Sequence, residues 1–273
     1  WWPCKNGLTD KIDSIDVYVT TPSNYKVASN GILKEEYIID TNTIFHWKHS
    51  YQIAPYLIAI AVTDYTVYND TVHLSNGVSM PMMNYVYPEN ITAARTGTNK
   101  LVKVLEFFDS LFINYGFYKE KYGHAQFGWG GGMEHQTMSF VINFNDGLLA
   151  HELGHQWFGD LVTCGSWQDI WLNEGWATYL EGLSRQRFND ANDWLSWKTS
   201  NRNSATFNTY GSVKVDDTFN VSRIFNGQLS YSKGAYLLHM LRWKLGDVAF
   251  FQATRNYLND KKYSFARTPE FKA

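Results

Sequence analysis

His151, Glu152 and His155 form a His-Glu-x-x-His pattern inside the apolar run Leu149-Ala150-His151-Glu152-Leu153-Gly154-His155-Gln156-Trp157-Phe158. Residues four apart share one face of a helix, so both imidazoles can reach a single zinc ion at about 2.0 to 2.1 Å. Glu152, turned about 100° from His151 on that helix, can face a water held by the ion. A catalytic zinc also needs a third protein ligand and an open fourth position. Glu174, in Trp171-Leu172-Asn173-Glu174-Gly175-Trp176, lies 19 positions after His155 in a second helical stretch. The intervening Thr163-Cys164-Gly165-Ser166 has the glycine and small polar residues of a tight connection, which would pack the two helices antiparallel with Glu174 opposite the histidines. Otherwise Glu174 is a solvated glutamate on a helix face. One Zn2+ on His151, His155 and Glu174, with Glu152 as general base, is hydrolase chemistry.

The elements around these residues change character along the chain. From Ile12 to about Tyr87, short β-branched and aromatic runs alternate with turn signals. Asn30-Gly31 and Asn76-Gly77 read as hairpin turns, and Tyr56 to Val62 as a buried strand. Beyond Pro88 the spacing of Leu101, Val104, Leu105, Phe108, Leu111 and Phe112 predicts an amphipathic helix over 99–115. A Gly-rich, strand-like segment follows over 124–143, then helices over 147–162, 167–188, 231–245 and 247–258. The expectation is an α+β fold, with a β-rich part over 1–87 and a mixed domain over 88–273.

With 44% apolar and 17% aromatic side chains, 273 residues can bury a large core. A net charge of -2 gives no pull toward nucleic acid or anionic lipid. No run approaches the about 20 apolar residues of a membrane span. Cys4 and Cys164 make no disulfide framework and read as reduced, buried thiols. No compartment follows: cytoplasmic, secreted and periplasmic placements all stay open.

The His-Glu-x-x-His pattern followed by Glu174 within Asn-Glu-Gly resembles the gluzincin zinc aminopeptidases, the family of aminopeptidase N and leukotriene hydrolase. Gly131-Gly132-Met133-Glu134 is similar to that family's Gly-x-Met-Glu-Asn signature, and Tyr231-Ser232-Lys233-Gly234-Ala235 to its Tyr-x-Lys-Gly motif. Tyr56-Leu57-Ile58-Ala59 and Trp2-Pro3-Cys4 resemble parts of its amino-terminal domain. The resemblance implies a β-rich amino-terminal part followed by a thermolysin-like zinc peptidase catalytic domain. It further implies that Glu134 binds the free α-amino group of a peptide, that Tyr231 stabilises the developing oxyanion as a second catalytic residue, and that Glu181 lies near the substrate amine. Gly131, Gly132 and Met133 would pair with the substrate backbone as an added strand, unless the glycines serve only as a flexible turn. Tyr231 could otherwise be a core tyrosine. His135 stands where the family usually has Asn.

The activity this implies is removal of the residue at a free peptide N-terminus, with peptides as partners. An endopeptidase of the same metal chemistry and a non-catalytic scaffold are the alternatives. By the same resemblance the chain is a piece of a longer protein, lacking flanking domains and an upstream Gln that contacts the amine, and its activity alone would be reduced.

Overall fold

Strand β4 (Asn42–His49) shows why the first part of the chain folds as it does: its residues alternate, with Thr43, Phe45, Trp47 and His49 buried. That period of two turns one face to the core. A computed structural model describes residues 3–5, 7–207 and 210–272; Trp2 lies outside the described residues. In it β4 is the centre of an antiparallel sheet between β1 (Ile15–Pro22) and β3 (Ile32–Ile39). β2 (Lys26–Ser29) pairs separately with β5 (Ile60–Thr63).

A second sheet runs in the order β6-β7-β8-β10-β9, comprising β6 (Thr66–His73), β7 (Ser79–Val86), β8 (Tyr122–Gln126), β9 (Gly132–Met133) and β10 (Ser139–Val141). It takes strands from both sides of position 87. Asn76-Gly77 does turn the β6–β7 hairpin, with Gly77 at φ 84°. β7 and β8 are parallel and therefore need a crossover, which is helix α1 (Ile91–Leu111). α1 buries Leu101, Val104, Leu105 and Phe108, the stripe expected from the spacing, but begins eight residues earlier than 99. β9 lies at the sheet edge, antiparallel to β10.

Helices α2 (Asp146–His155) and α3 (Trp171–Phe188) form the centre of the second half, followed by α4 (Ala191–Phe207), α5 (Val221–Ile224), α6 (Gly234–Leu245), α7 (Asp247–Lys261) and α8 (Thr268–Lys272). Strand β11 (Val162–Cys164) pairs in parallel with β12 (Ser264–Ala266). The largest core cluster joins α1, α2, α3, α6 and α7 through Phe108, Leu153, Trp176, Leu238 and Phe250.

Several elements depart from the sequence expectation. α2 stops at His155 instead of running to 162, because Gly159 takes φ 148°, which side chains rarely adopt, and the chain enters β11. The link to α3 is therefore a strand and a short 3-10 turn, Trp167–Asp169, instead of a tight helix–helix loop. Asn30-Gly31 is no hairpin: β2 pairs with β5 and β3 with β4. The run from Tyr56 starts in a 3-10 turn, Pro55–Leu57, before β5. α4 was not expected, since its sequence is polar and only Trp197 and Ala205 are buried. It is held from outside: Gly182 of α3 leaves room for the Trp197 ring, which a Cβ there would meet at 2.6 Å. Both cysteines are free, but Cys4 is exposed and only Cys164 buried.

Candidate metal centre

Leu149 and Leu153 anchor α2 in the core, which leaves His151, Glu152 and His155 on the side toward the cleft. Gly154 lets α3 come close: a Cβ on it would lie 3.2 Å from Ala177 Cα and 3.1 Å from Leu180 Cβ. Ala177 is three residues beyond Glu174, so this contact carries Glu174 to the histidine pair.

The two Nε2 atoms are 3.2 Å apart, and Glu174 Oε2 lies 3.4 Å from that of His151 and 3.3 Å from that of His155. Ligand atoms at about 2.0 to 2.1 Å from a tetrahedral ion are about 3.3 to 3.4 Å from one another. These three donors thus sit at the corners of one face of such a tetrahedron, and the residues fit a zinc ion. His155 donates Nδ1–H to the Phe158 carbonyl at 3.1 Å, which leaves its Nε2 lone pair facing the cluster.

Glu152 lies beside this triangle. A Cβ on Gly132 would fall 2.3 Å from Glu152 Oε1, so glycine at that place lets the carboxylate lie against the β9 backbone. Glu134, Glu152 and His155 also bring their oxygen and nitrogen atoms within 4.8 Å of one another. Burial pushes Glu152 up to about 7, against the pull of the two imidazoles. Burial likewise raises Glu134, helped by the Glu174 carboxylate. In Glu174 burial acts upward but the imidazoles prevail, holding it down to about 2. In His155 burial acts downward, and the Glu134 and Glu174 carboxylates overcome it. Three carboxylates against two imidazoles leave the site short of positive charge, as a cation site should be.

Tyr231 comes from a π-helical turn, Gly227–Lys233, immediately before α6. Its ring stacks on His151 at 5.9 Å between centroids and 15° between planes. Burial and the nearby Glu174 carboxylate, with which its hydroxyl interacts, raise its pKa and keep it a neutral donor. All of these residues line one cleft of about 680 Å³, together with Gly130, Gly131, Gly132, Asn143 and Asn145. Met133 does not line it; its side chain faces an adjoining apolar hollow beside Tyr56 and Phe140.

Glu181 is in the cleft wall, but its Oε1 accepts from Arg185 Nε at 3.0 Å and Nη2 at 2.9 Å, and Arg185 also reaches Asp193 at 2.8 Å. Sequence reading passed over Arg185, although its position four residues after Glu181 was a visible helical ion-pair spacing. Gln156 was missed with no such signal. Its Oε1 accepts the Thr137 amide at 2.9 Å, and its Nε2 donates to the Glu134 carbonyl at 3.4 Å. His135 donates Nδ1–H to the Leu57 carbonyl at 3.2 Å. Burial lowers its pKa to about 4.

The fold is that of the zinc metallopeptidases of family M1. The crystal structure of an M1 zinc metallopeptidase from Deinococcus radiodurans superimposes with a TM-score of 0.84 at 22% identity, over 98% of this chain and 61% of that one. An E323A mutant of that enzyme, bound to a Tyr-Ser-Ala substrate, gives a TM-score of 0.83 at 22% identity, over 98% of this chain and 61% of that one. Residues 142–273 match the Peptidase family M1 domain. Among sequence relatives, mitochondrial aminopeptidase 2 of Saccharomyces cerevisiae is 27% identical over 98% of this chain, and human glutamyl aminopeptidase 28% over 99%. The chain spans about 30% of the length of each of those relatives.

Proposed function

We propose that the protein is a zinc-dependent aminopeptidase, hydrolysing the first peptide bond of peptides with a free N-terminus. The triangle of His151, His155 and Glu174, with edges of 3.2 to 3.4 Å and Glu152 beside it, carries this reading. A bound zinc ion would polarise the scissile carbonyl and bring the pKa of a water down to about 7.

The chain's own residues would do the rest. Glu152 takes a proton from the attacking water and passes it to the departing nitrogen. Its buried carboxylate is poised for both steps. Tyr231, kept neutral, donates its O–H toward the oxygen that gains charge. Glu134 meets the α-ammonium group, a charge-assisted pairing in a buried place. β9 is an edge strand with a free side, so the substrate backbone can add to it. The Glu181 carboxylate, already paired with Arg185, shapes that wall of the cleft and contributes less to the amine.

Hydrolysis of an aminoacyl reporter substrate, compared with its N-acetylated form, tests the assignment. Loss of turnover on acetylation is expected; equal rates would favour an endopeptidase instead. A chain that took up no zinc would leave only the scaffold reading.

A further inference from the structure

Asn30-Gly31 has the composition of a hairpin turn but does other work. Asn30 is 1% exposed, and its amide has partners on both ends. Nδ2 donates to the carbonyls of Leu57 at 3.0 Å and Gln136 at 2.6 Å, while Oδ1 accepts the Ala59 amide at 2.8 Å. Gly31 then donates its N–H to Thr137 Oγ1 at 2.8 Å. Glycine is required there: φ is 78°, and a Cβ would lie 2.1 Å from the Lys48 carbonyl oxygen.

Two segments far apart in sequence are joined by these bonds. One is the turn that carries Tyr56; the other runs from Glu134 to Thr137. The Leu57 carbonyl that takes Asn30 also takes His135, the neighbour of Glu134. At the end of the second segment, Thr137 adopts φ 67°, an uncommon conformation for a residue with a branched side chain. Its amide donates to Gln156, and its carbonyl accepts from Lys121 Nζ at 2.9 Å. A strained residue persists where its surroundings over-determine it, and here they do so from three separate places in the chain, Gly31, Lys121 and Gln156.

We propose that Asn30 is a positioning residue for Glu134, joining the 55–57 turn to the 134–137 segment and so setting where the Glu134 carboxylate meets a substrate ammonium. The inference rests on the reading of Glu134 given above. A shift of the segment would strand buried donors and acceptors of Asn30, so the segment has one low-energy place. His151, His155 and Glu174 share no hydrogen bond with Asn30, and metal uptake is therefore an independent readout.

The test compares Asn30→Ser, Glu134→Gln and the double variant for zinc content, KM and kcat on an aminoacyl reporter. Asn30→Ser should keep its zinc, raise KM about tenfold and leave kcat within about threefold. The double variant should be no worse than Glu134→Gln alone, because both changes remove the same interaction. An unmoved KM in a folded, zinc-loaded Asn30→Ser variant overturns the inference, as do additive effects in the double variant. If Glu134→Gln itself leaves KM unmoved, the amine reading falls and takes the inference with it. Should Asn30→Ser not fold, amide hydrogen exchange of the unaltered protein decides. The Ala59 and Thr137 amides opening together supports the link, and their opening independently overturns it.

Discussion

Gly175 of α3 and Gly234 at the start of α6 touch backbone to backbone: a Cβ on Gly175 would lie 2.9 Å from Gly234 Cα, and one on Gly234 equally close to Gly175 Cα. Each glycine lies close in sequence to a residue that lines the cleft. Gly175 follows Glu174, and Gly234 follows the π-helical turn that bears Tyr231. The close crossing is what lets an oxygen of one helix and a phenol ahead of the other share a site.

Gly175→Ala should therefore push α6 away. Overpacking of this kind costs about 1 to 3 kcal/mol, to be read from urea unfolding, and turnover should fall along with stability. Full stability with full activity in this variant would show that the crossing tolerates a methyl group.

Glu152→Gln should retain zinc and lose about 10²- to 10⁴-fold in kcat, the range for a positioned general base. The amide keeps the shape and the place against Gly132 but cannot accept the proton. Activity close to that of the unaltered protein would put the base elsewhere.

Tyr231→Phe removes one hydroxyl and keeps the stack on His151. kcat should drop about 10²- to 10³-fold with little change in KM, as for loss of one oxyanion donor. A core-packing role for the ring would instead leave kcat nearly intact.

Chelation should lower the unfolding midpoint, and added zinc should restore it. Free ion at about 1,000 times its Kd stabilises by about 4 kcal/mol. Glu174→Ala should abolish this dependence; a midpoint indifferent to chelator in the unaltered protein would argue against the site.

His124 gives a pH prediction outside the cleft. Asn84 donates through Nδ2 to Asp70 and the Met82 carbonyl, so its Oδ1 accepts His124 Nδ1–H at 2.8 Å. His124 Nε2 is then a bare, buried acceptor. Burial, with Lys121 nearby, lowers the pKa from 6.5 to about 3. The unfolded chain therefore binds the proton first, so the stability contribution is full above about 6.5 and is lost as the pH falls toward about 3. His124→Asn should be less stable at neutral pH, with the gap to the unaltered protein narrowing in acid. A gap of constant size across that window would disprove the shift.

Much of the site was legible because its spacing is local. His151 and His155 four apart, with Glu152 between them, are on one helical face in any α2, and the Leu101 to Phe108 stripe announced α1. Less legible were elements whose cause is tertiary. α4 is polar along its length and exists because Gly182 admits Trp197. α2 ends early because Gly159 occupies a conformation that no periodicity signals. Asn30-Gly31 has turn composition, yet two of its partners, Gln136 and Thr137, are more than a hundred residues away.

From the sequence alone came the pair of imidazoles, the glutamate between them, the identity of the third carboxylate and the mixed fold, since helix and strand periods are written in neighbouring residues. Only the tertiary structure decided the triangle's 3.2 to 3.4 Å edges, the pairing of Glu181 with Arg185 and the hydrogen bonds of Asn30 to Gln136 and of Gln156 to Glu134. Those depend on how closely helices cross at Gly154, Gly175 and Gly234, and on buried hydrogen bonds between distant segments, neither of which leaves a period in the chain.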